Sequence, residues 1–229
     1  MKKFKIVARL KKRKKFVKVG DIGLPEFDIP NLTKDVTTDR PNHIWRTDFT
    51  YLTYRGIVFY LATVIDDFTK EIVWYTIGTR HTKEFVLEAL KDAIRKTKTK
   101  PEIIHSDQWS EYRSFLFLEF LIANSIRASM SAKSSPWQNG WQESYYGKFK
   151  LEMDHLNRYE SFEILIEAIH HQIYYYNYKR IHTTLRMPPV TFRESYNLLF
   201  GGTREEKREE ISSLGNLNIV LKRVETGVS

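Results

Sequence analysis

Apolar residues change their spacing along this chain, and the changes divide it into strands and helices. The runs HIWRTDFTYLTY (43–54), IVFYLATVID (57–66) and EIVWYTIG (71–78) are rich in β-branched and aromatic residues. An Arg-Gly pair and a polar DFTK segment separate them, which predicts an antiparallel meander with tight turns. From Thr82 the spacing lengthens: Phe85, Leu87, Ala89, Leu90 and Ile94 form one apolar face behind a threonine cap, predicting a helix over 82–98. EIIHSD (102–107) reads as a short buried strand, SFLFLEFLIAN (114–124) as a helix and IRASM (126–130) as another strand.

The stretch SPWQNGWQESYYGKFKLE (135–152) begins as a loop and continues as a helix. Trp141, Tyr145, Phe149, Met153 and Leu156 fall on one stripe, while Glu143 shares another face with Asn139, Gly147 and Lys150. SFEILIEAIHHQIYYYNYKR (161–180) is a further amphipathic helix. The order β-β-β-α-β-α-β-α-α predicts an α/β protein, a mixed sheet with helices on both faces. Residues 1–42 read as a basic arm and linker, 43–180 as the core and 181–229 as a C-terminal extension.

Charge adds a partner. Of a net +9, residues 1–19 supply ten lysines or arginines and no acid, so the rest of the chain is near neutral. A basic arm on a neutral body suits the phosphate backbone of DNA, with Lys11, Lys12, Arg13, Lys14 and Lys15 its densest run. The absence of cysteine excludes disulfides and thiolate metal sites and agrees with a reducing compartment. The longest clean apolar run, Ile57–Ile65, is half of a membrane span, so a cytoplasmic protein without membrane contact is expected.

Three acids stand at positions where chemistry gathers in α/β folds. Asp48 lies inside the first strand, on the face of Thr50 and Leu52, where an unpaired acid is costly. Asp107 ends the EIIHSD strand, and Glu143 sits near the start of its helix. Each alone has a structural explanation. Together, carboxylates at element ends can hold divalent cations through hard oxygen ligands, and two such ions suit an in-line phosphoryl displacement. Lys150 is then placed for a DNA phosphate, with Lys148 beside it, and Gly147 leaves the face open. Asp66 and Asp67 rival these acids as ligands but read as turn residues. The adjacent His105, Ser106 and Asp107 cannot form a hydrolase relay, because successive strand residues point to opposite faces. Tyr174, Tyr175 and Tyr176 suit either base stacking or helix packing, with packing preferred.

The segments WRTDFTYL, HSDQWSEY and SPWQNGWQESYYGKFKLE resemble the Asp-Asp-Glu catalytic core of bacterial insertion-sequence transposases, relatives of retroviral integrases. Thirty-five residues separate Asp107 from Glu143, and Lys150 follows that glutamate by seven positions. YNYKRIHTTLRMPP (176–189) matches the segment after the family's core, so the resemblance covers roughly residues 35–196. It implies a ribonuclease-H-like mixed five-stranded sheet, and Asp48, Asp107 and Glu143 as catalytic, metal-binding residues. It also implies Mg²⁺ or Mn²⁺, two ions per site, DNA cleavage and strand transfer, self-association on DNA and a nucleoid-associated location.

Two departures stand out. Trp109 occupies a place where the family usually has glycine, so turn strain or reduced activity is expected there. The family's upstream helix-turn-helix segments have no counterpart, which suggests a separate partner chain for end recognition. It also admits a truncated relic that binds DNA without catalysis; the intact acids favour the enzyme.

Overall fold

The computed structural model describes residues 29–131 and 140–200, with the backbone alone at Gly140, Trp141 and Glu143. The cluster from Lys11 to Lys15, Asn139 and residues 201–229 lie outside the described residues. The elements are β1 (Ile44–Tyr54), β2 (Ile57–Asp66), β3 (Ile72–Gly78), α1 (Lys83–Thr97), β4 (Ile103–Ser106), α2 (Phe115–Ala123), β5 (Arg127–Met130), α3 (Gly140–Met153), α4 (Phe162–Tyr178) and α5 (Pro189–Phe200). A short 3₁₀ turn at Leu156–Arg158 joins α3 to α4.

The five strands form one sheet in the order β3-β2-β1-β4-β5. The meander pairs antiparallel, and β1-β4 and β4-β5 pair parallel, as the sequence order implied. Arg55 and Gly56 both have positive φ, at 47° and 82°, which is what a two-residue type I′ hairpin needs to match the twist of β1 and β2. Thr82, Ser114 and Ser161 cap α1, α2 and α4 by accepting the backbone N–H three residues on. β4 is buried at all four positions, as a central parallel strand covered on both faces must be.

Each face of the sheet has its own core. Leu52, Phe59, Leu61 and Ile65 pack with Tyr145, Phe149 and Met153 of α3 and Leu165, Ile169 and Ile173 of α4. On the opposite face, Trp45 and Val64 pack with Leu87 and Leu90 of α1 and Phe117 and Leu121 of α2. Burying each such side chain contributes about 1.5–3 kcal/mol. The alternation of β1 therefore assigns its even-numbered residues, Asp48 among them, to the side covered by α3 and α4.

The periodicity did not reveal α5, which is held by tertiary contacts: Phe192 packs with Phe68 of the β2–β3 turn, Leu185 and Met187. The segment read as linker is also partly built into the fold. Leu32 N–H donates to Ser129 Oγ at 2.8 Å, and Met130 N–H donates to the Pro30 carbonyl beside β5. Among the described residues no helix is long and apolar enough to cross a membrane.

Candidate active site

The parallel pairing of β1 with β4 runs Ile44↔Ile103, Trp45↔Ile104, Arg46↔His105 and Thr47↔Ser106. The next residue on each strand is Asp48 and Asp107, so the register brings the two acids to adjacent strands, whose spacing is about 4.8 Å. Asp48 is buried, and its Oδ1 accepts the Phe49 N–H at 2.8 Å. Asp107 lies one residue past the end of β4, half-buried, and its Oδ1 accepts the Ser131 hydroxyl at 2.9 Å.

Tyr112 touches this neighbourhood from the side, its hydroxyl 3.2 Å from Thr47 Oγ1. Burial pushes its phenol well above the ordinary value, and the carboxylates of Asp48 and Asp107 add to the effect. One ring thus senses both acids.

Helix α3 is tied to β1 at the same point. The Tyr146 hydroxyl donates to the Asp48 carbonyl at 2.8 Å, and Thr63, the antiparallel partner of Asp48, bonds the same hydroxyl at 2.8 Å. Glu143 stands three residues before Tyr146, and residues at that separation are neighbours on one helix face. The helical backbone therefore carries the third acid position towards β1 and Asp48. A Cβ at Gly147 would meet nothing within 4 Å, so that face is open. Lys150 is exposed, with its Nζ 4.8 Å from the centre of the Tyr51 ring, and partial burial lowers its pKa. Lys148 occupies a different side of α3. It lines a cleft against α4 with Glu152, Gln172, Arg180 and His182.

A buried chain of hydrogen bonds reaches Asp107 from behind. His105 is fully buried; its Nδ1 lies 2.9 Å from Ser129 Oγ and 3.1 Å from Thr33 Oγ1, and its Nε2 lies 3.2 Å from Ser131 Oγ. Ser131 gives its one proton to Asp107, so its oxygen accepts from His105, which assigns the proton of the neutral imidazole to Nε2. Burial, reinforced by the Arg46 guanidinium and opposed by Asp67, lowers the His105 pKa to about 3. An unfolded histidine titrates near 6.5, so this group stabilises the fold fully above about pH 6.5 and loses that contribution as pH falls towards 3. The difference in unfolding free energy between wild type and His105→Gln should therefore shrink by up to about 1.4 kcal/mol per pH unit in that window, measured by urea denaturation from pH 7 to 4. A difference independent of pH would contradict the buried neutral imidazole.

The rival acids have other employment. Asp66 Oδ1 accepts from the N–H groups of Phe68 and Thr69 and from the Thr69 hydroxyl, and its Oδ2 accepts the Asn42 N–H. Burial raises its pKa against those hydrogen bonds. Asp67 pairs with Lys70 at 2.9 Å and Arg46 at 3.0 Å. Both close the β2–β3 turn, as their turn reading implied. Tyr176 is a packing residue whose hydroxyl donates to the Lys70 carbonyl, whereas Tyr174 and Tyr175 are exposed and Tyr174 stacks on Tyr178.

The strain expected at Trp109 is absent. Its φ is not positive, and its ring leans on Phe49 with centroids 5.4 Å apart, so this turn has no need of a glycine. The residues that the pattern did not single out are Tyr146, Thr63 and Ser131. Only the strand pairing exposes them, since His105↔Ser129 is a register that a single chain does not print. Among the described residues, which do not include the Glu143 side chain, no group of three acids or histidines assembles as a metal site.

A sheet of this order, with helices on both faces, is the fold of ribonuclease-H-like polynucleotidyl transferases. It aligns with the HTLV-2 integrase catalytic core domain in complex with magnesium at a TM-score of 0.55 and 23% identity, covering 66% of this chain and 96% of that one. Residues 38–136 match a family described as Integrase core domain, and residues 124–189 match a second family of the same description. An uncharacterized transposase-like protein of Haemophilus influenzae is 34% identical over 163 residues, 71% of this chain and 76% of that one. The putative transposase InsK for insertion sequence element IS150 of Escherichia coli is 31% identical over 176 residues, 76% of this chain and 62% of that one. The chain belongs to the insertion-sequence transposases that carry an integrase core domain.

Proposed function

We propose that this chain cuts and joins DNA strands at the ends of a mobile element by in-line phosphoryl transfer. Asp48, Asp107 and Glu143 are the catalytic residues and the ligands for Mg²⁺ or Mn²⁺, two ions per site. The observation that carries this reading is the β1–β4 register, which brings Asp48, inside β1, beside Asp107, one residue past the end of β4, where α3 is tied to the Asp48 carbonyl through Tyr146. The donor set fits the cation: carboxylate oxygens are the hard ligands such ions prefer. Bound there, the ions supply Lewis-acid stabilisation and lower the pKa of the attacking hydroxyl or water.

The chain's own residues hold this arrangement. Tyr146 and Thr63 set the height of α3 over β1, so the position of Glu143 depends on two hydroxyls. Ser131, backed by His105, turns the Asp107 carboxylate; partners of this kind are typically worth 10–100-fold in metal affinity or activity. Lys150 grips a phosphate beyond the acids, and Lys148 with the run Lys11, Lys12, Arg13, Lys14 and Lys15 neutralises more of the backbone. Element ends and target DNA are the partners, with self-association on DNA, in the bacterial nucleoid. The arm and linker (1–42), core (43–180) and extension (181–229) divide these tasks.

The test is a strand-transfer assay with the element's own terminal repeats. Joined product should form with Mg²⁺ or Mn²⁺ and not with EDTA. Binding of the ends without joining under either metal would make the protein a relic that only holds DNA.

A further inference from the structure

Beside the acids lies a layered set of rings that neither packing nor the phosphoryl chemistry uses fully. His81 stacks on Phe49 at 5.3 Å with an interplanar angle of 21°, and Trp109 covers Phe49 from another side at 5.4 Å. Tyr60 and Tyr112 buttress the group, at 4.6 Å from His81 and 6.4 Å from Phe49. The outermost ring is Trp109, 51% exposed although it is backed by Phe49. Its backbone is fixed, because the Trp109 carbonyl accepts the N–H groups of both Tyr112 and Arg113 at 3.2 Å. Phe49 follows Asp48 on β1 but faces the opposite side of the sheet, with the α1–α2 core, so the rings border the site at its Asp107 edge, which Trp109 follows by two residues.

A large, anchored aromatic ring left half in water beside acids that process DNA has one chemical complement: the flat face of a base. We propose that Trp109, supported by Phe49, is a stacking platform for the nucleobase next to the reacting phosphate, at the Asp107 edge of the site. Every base offers a π-face, so the platform is tolerant of sequence, and its contribution is about 5- to 150-fold in affinity. The shape asks for an unstacked base, as at a frayed end or a distorted target, because a base inside a duplex has both faces covered. This assignment rests on the DNA-processing function proposed above.

The experiment uses the full chain and duplexes ending in the element's terminal repeat. Either 2-aminopurine or an abasic nucleotide is placed in turn within two positions of the cleaved phosphate. In EDTA, wild type should quench 2-aminopurine at one position; Trp109→Phe should retain the quenching and Trp109→Ala should lose it. Trp109→Ala should bind the intact duplex about 5- to 150-fold more weakly, and an abasic nucleotide at that position should erase the difference. Equal weakening on intact and abasic duplexes, or no weakening on either, would overturn the platform. Quenching by wild type without any joining under Mn²⁺ would support the platform while overturning the catalytic function.

Discussion

Asp48→Asn, Asp107→Asn and Glu143→Gln should each abolish strand cleavage and joining while the protein still folds and binds DNA. Each change removes a charged ligand but keeps the volume, so metal-supported stabilisation of the reacting phosphodiester is lost. That stabilisation is worth several kcal/mol, or about 10³-fold or more in rate. DNA binding should hold or tighten slightly, because a negative charge facing phosphate disappears. Asp66→Asn is the informative control. Its carboxylate is occupied by turn hydrogen bonds, one of them from the Asn42 N–H at 2.6 Å, and an amide nitrogen cannot accept that proton. The cost should appear as about 1–3 kcal/mol of stability, with the folded fraction still joining strands. Loss of chemistry at Asp66 equal to that at Asp48 would place the functional acid at the end of β2 instead of on β1.

The second large effect concerns stability. Asp67→Ala should lower the unfolding free energy by about 3–5 kcal/mol, because it removes the buried carboxylate with which Lys70 and Arg46 pair in a nearly dry turn. For a chain of this length that corresponds to a fall in Tm of about 6–20 °C, measured by calorimetry or circular dichroism. Burial opposes ionisation of Asp67, yet Lys70 and Arg46 together hold its pKa below the usual carboxylate range. The folded pKa is depressed, so the stabilisation is present above about pH 4 and lost as pH falls below it. Wild type should therefore lose its advantage over Asp67→Ala in acid. A cost below about 1 kcal/mol at pH 7 would mean that water reaches Arg46 and Lys70. Arg46 lies two residues before Asp48 on β1, so this ion cluster also steadies the strand that carries the site.

The meander, the β-α-β units and the acids were legible because they leave local marks. Runs of β-branched and aromatic residues between turns marked β1 to β3, a threonine cap and apolar spacing marked α1, and spacing set Asp107 apart from Glu143. What joined Asp48 to Asp107 was the parallel register of strands whose paired residues, such as Ile44 and Ile103, lie far apart in the chain, and no single segment encodes such a pairing. Ser131 and Tyr146 escaped notice for the same reason: their roles exist only once β5 and α3 lie against β4 and β1. α5 was missed because its apolar face packs on Phe68 of the acid-capped β2–β3 turn, a contact between segments far apart in the chain. The turn strain expected at Trp109 rested on the family's glycine. Its backbone needs no glycine, and the neighbouring Phe49, which supports the ring, is on another strand.

The most direct test of the shared cation site is an anomalous difference map from crystals of the full chain grown with MnCl₂. Manganese should appear between β1 and β4 with carboxylate oxygens of Asp48 and Asp107 as ligands, and Asp107→Asn should remove or weaken that peak. Manganese held by other acids, with Asp48 and Asp107 unliganded in wild type, would contradict the assignment of these residues as the metal-binding core.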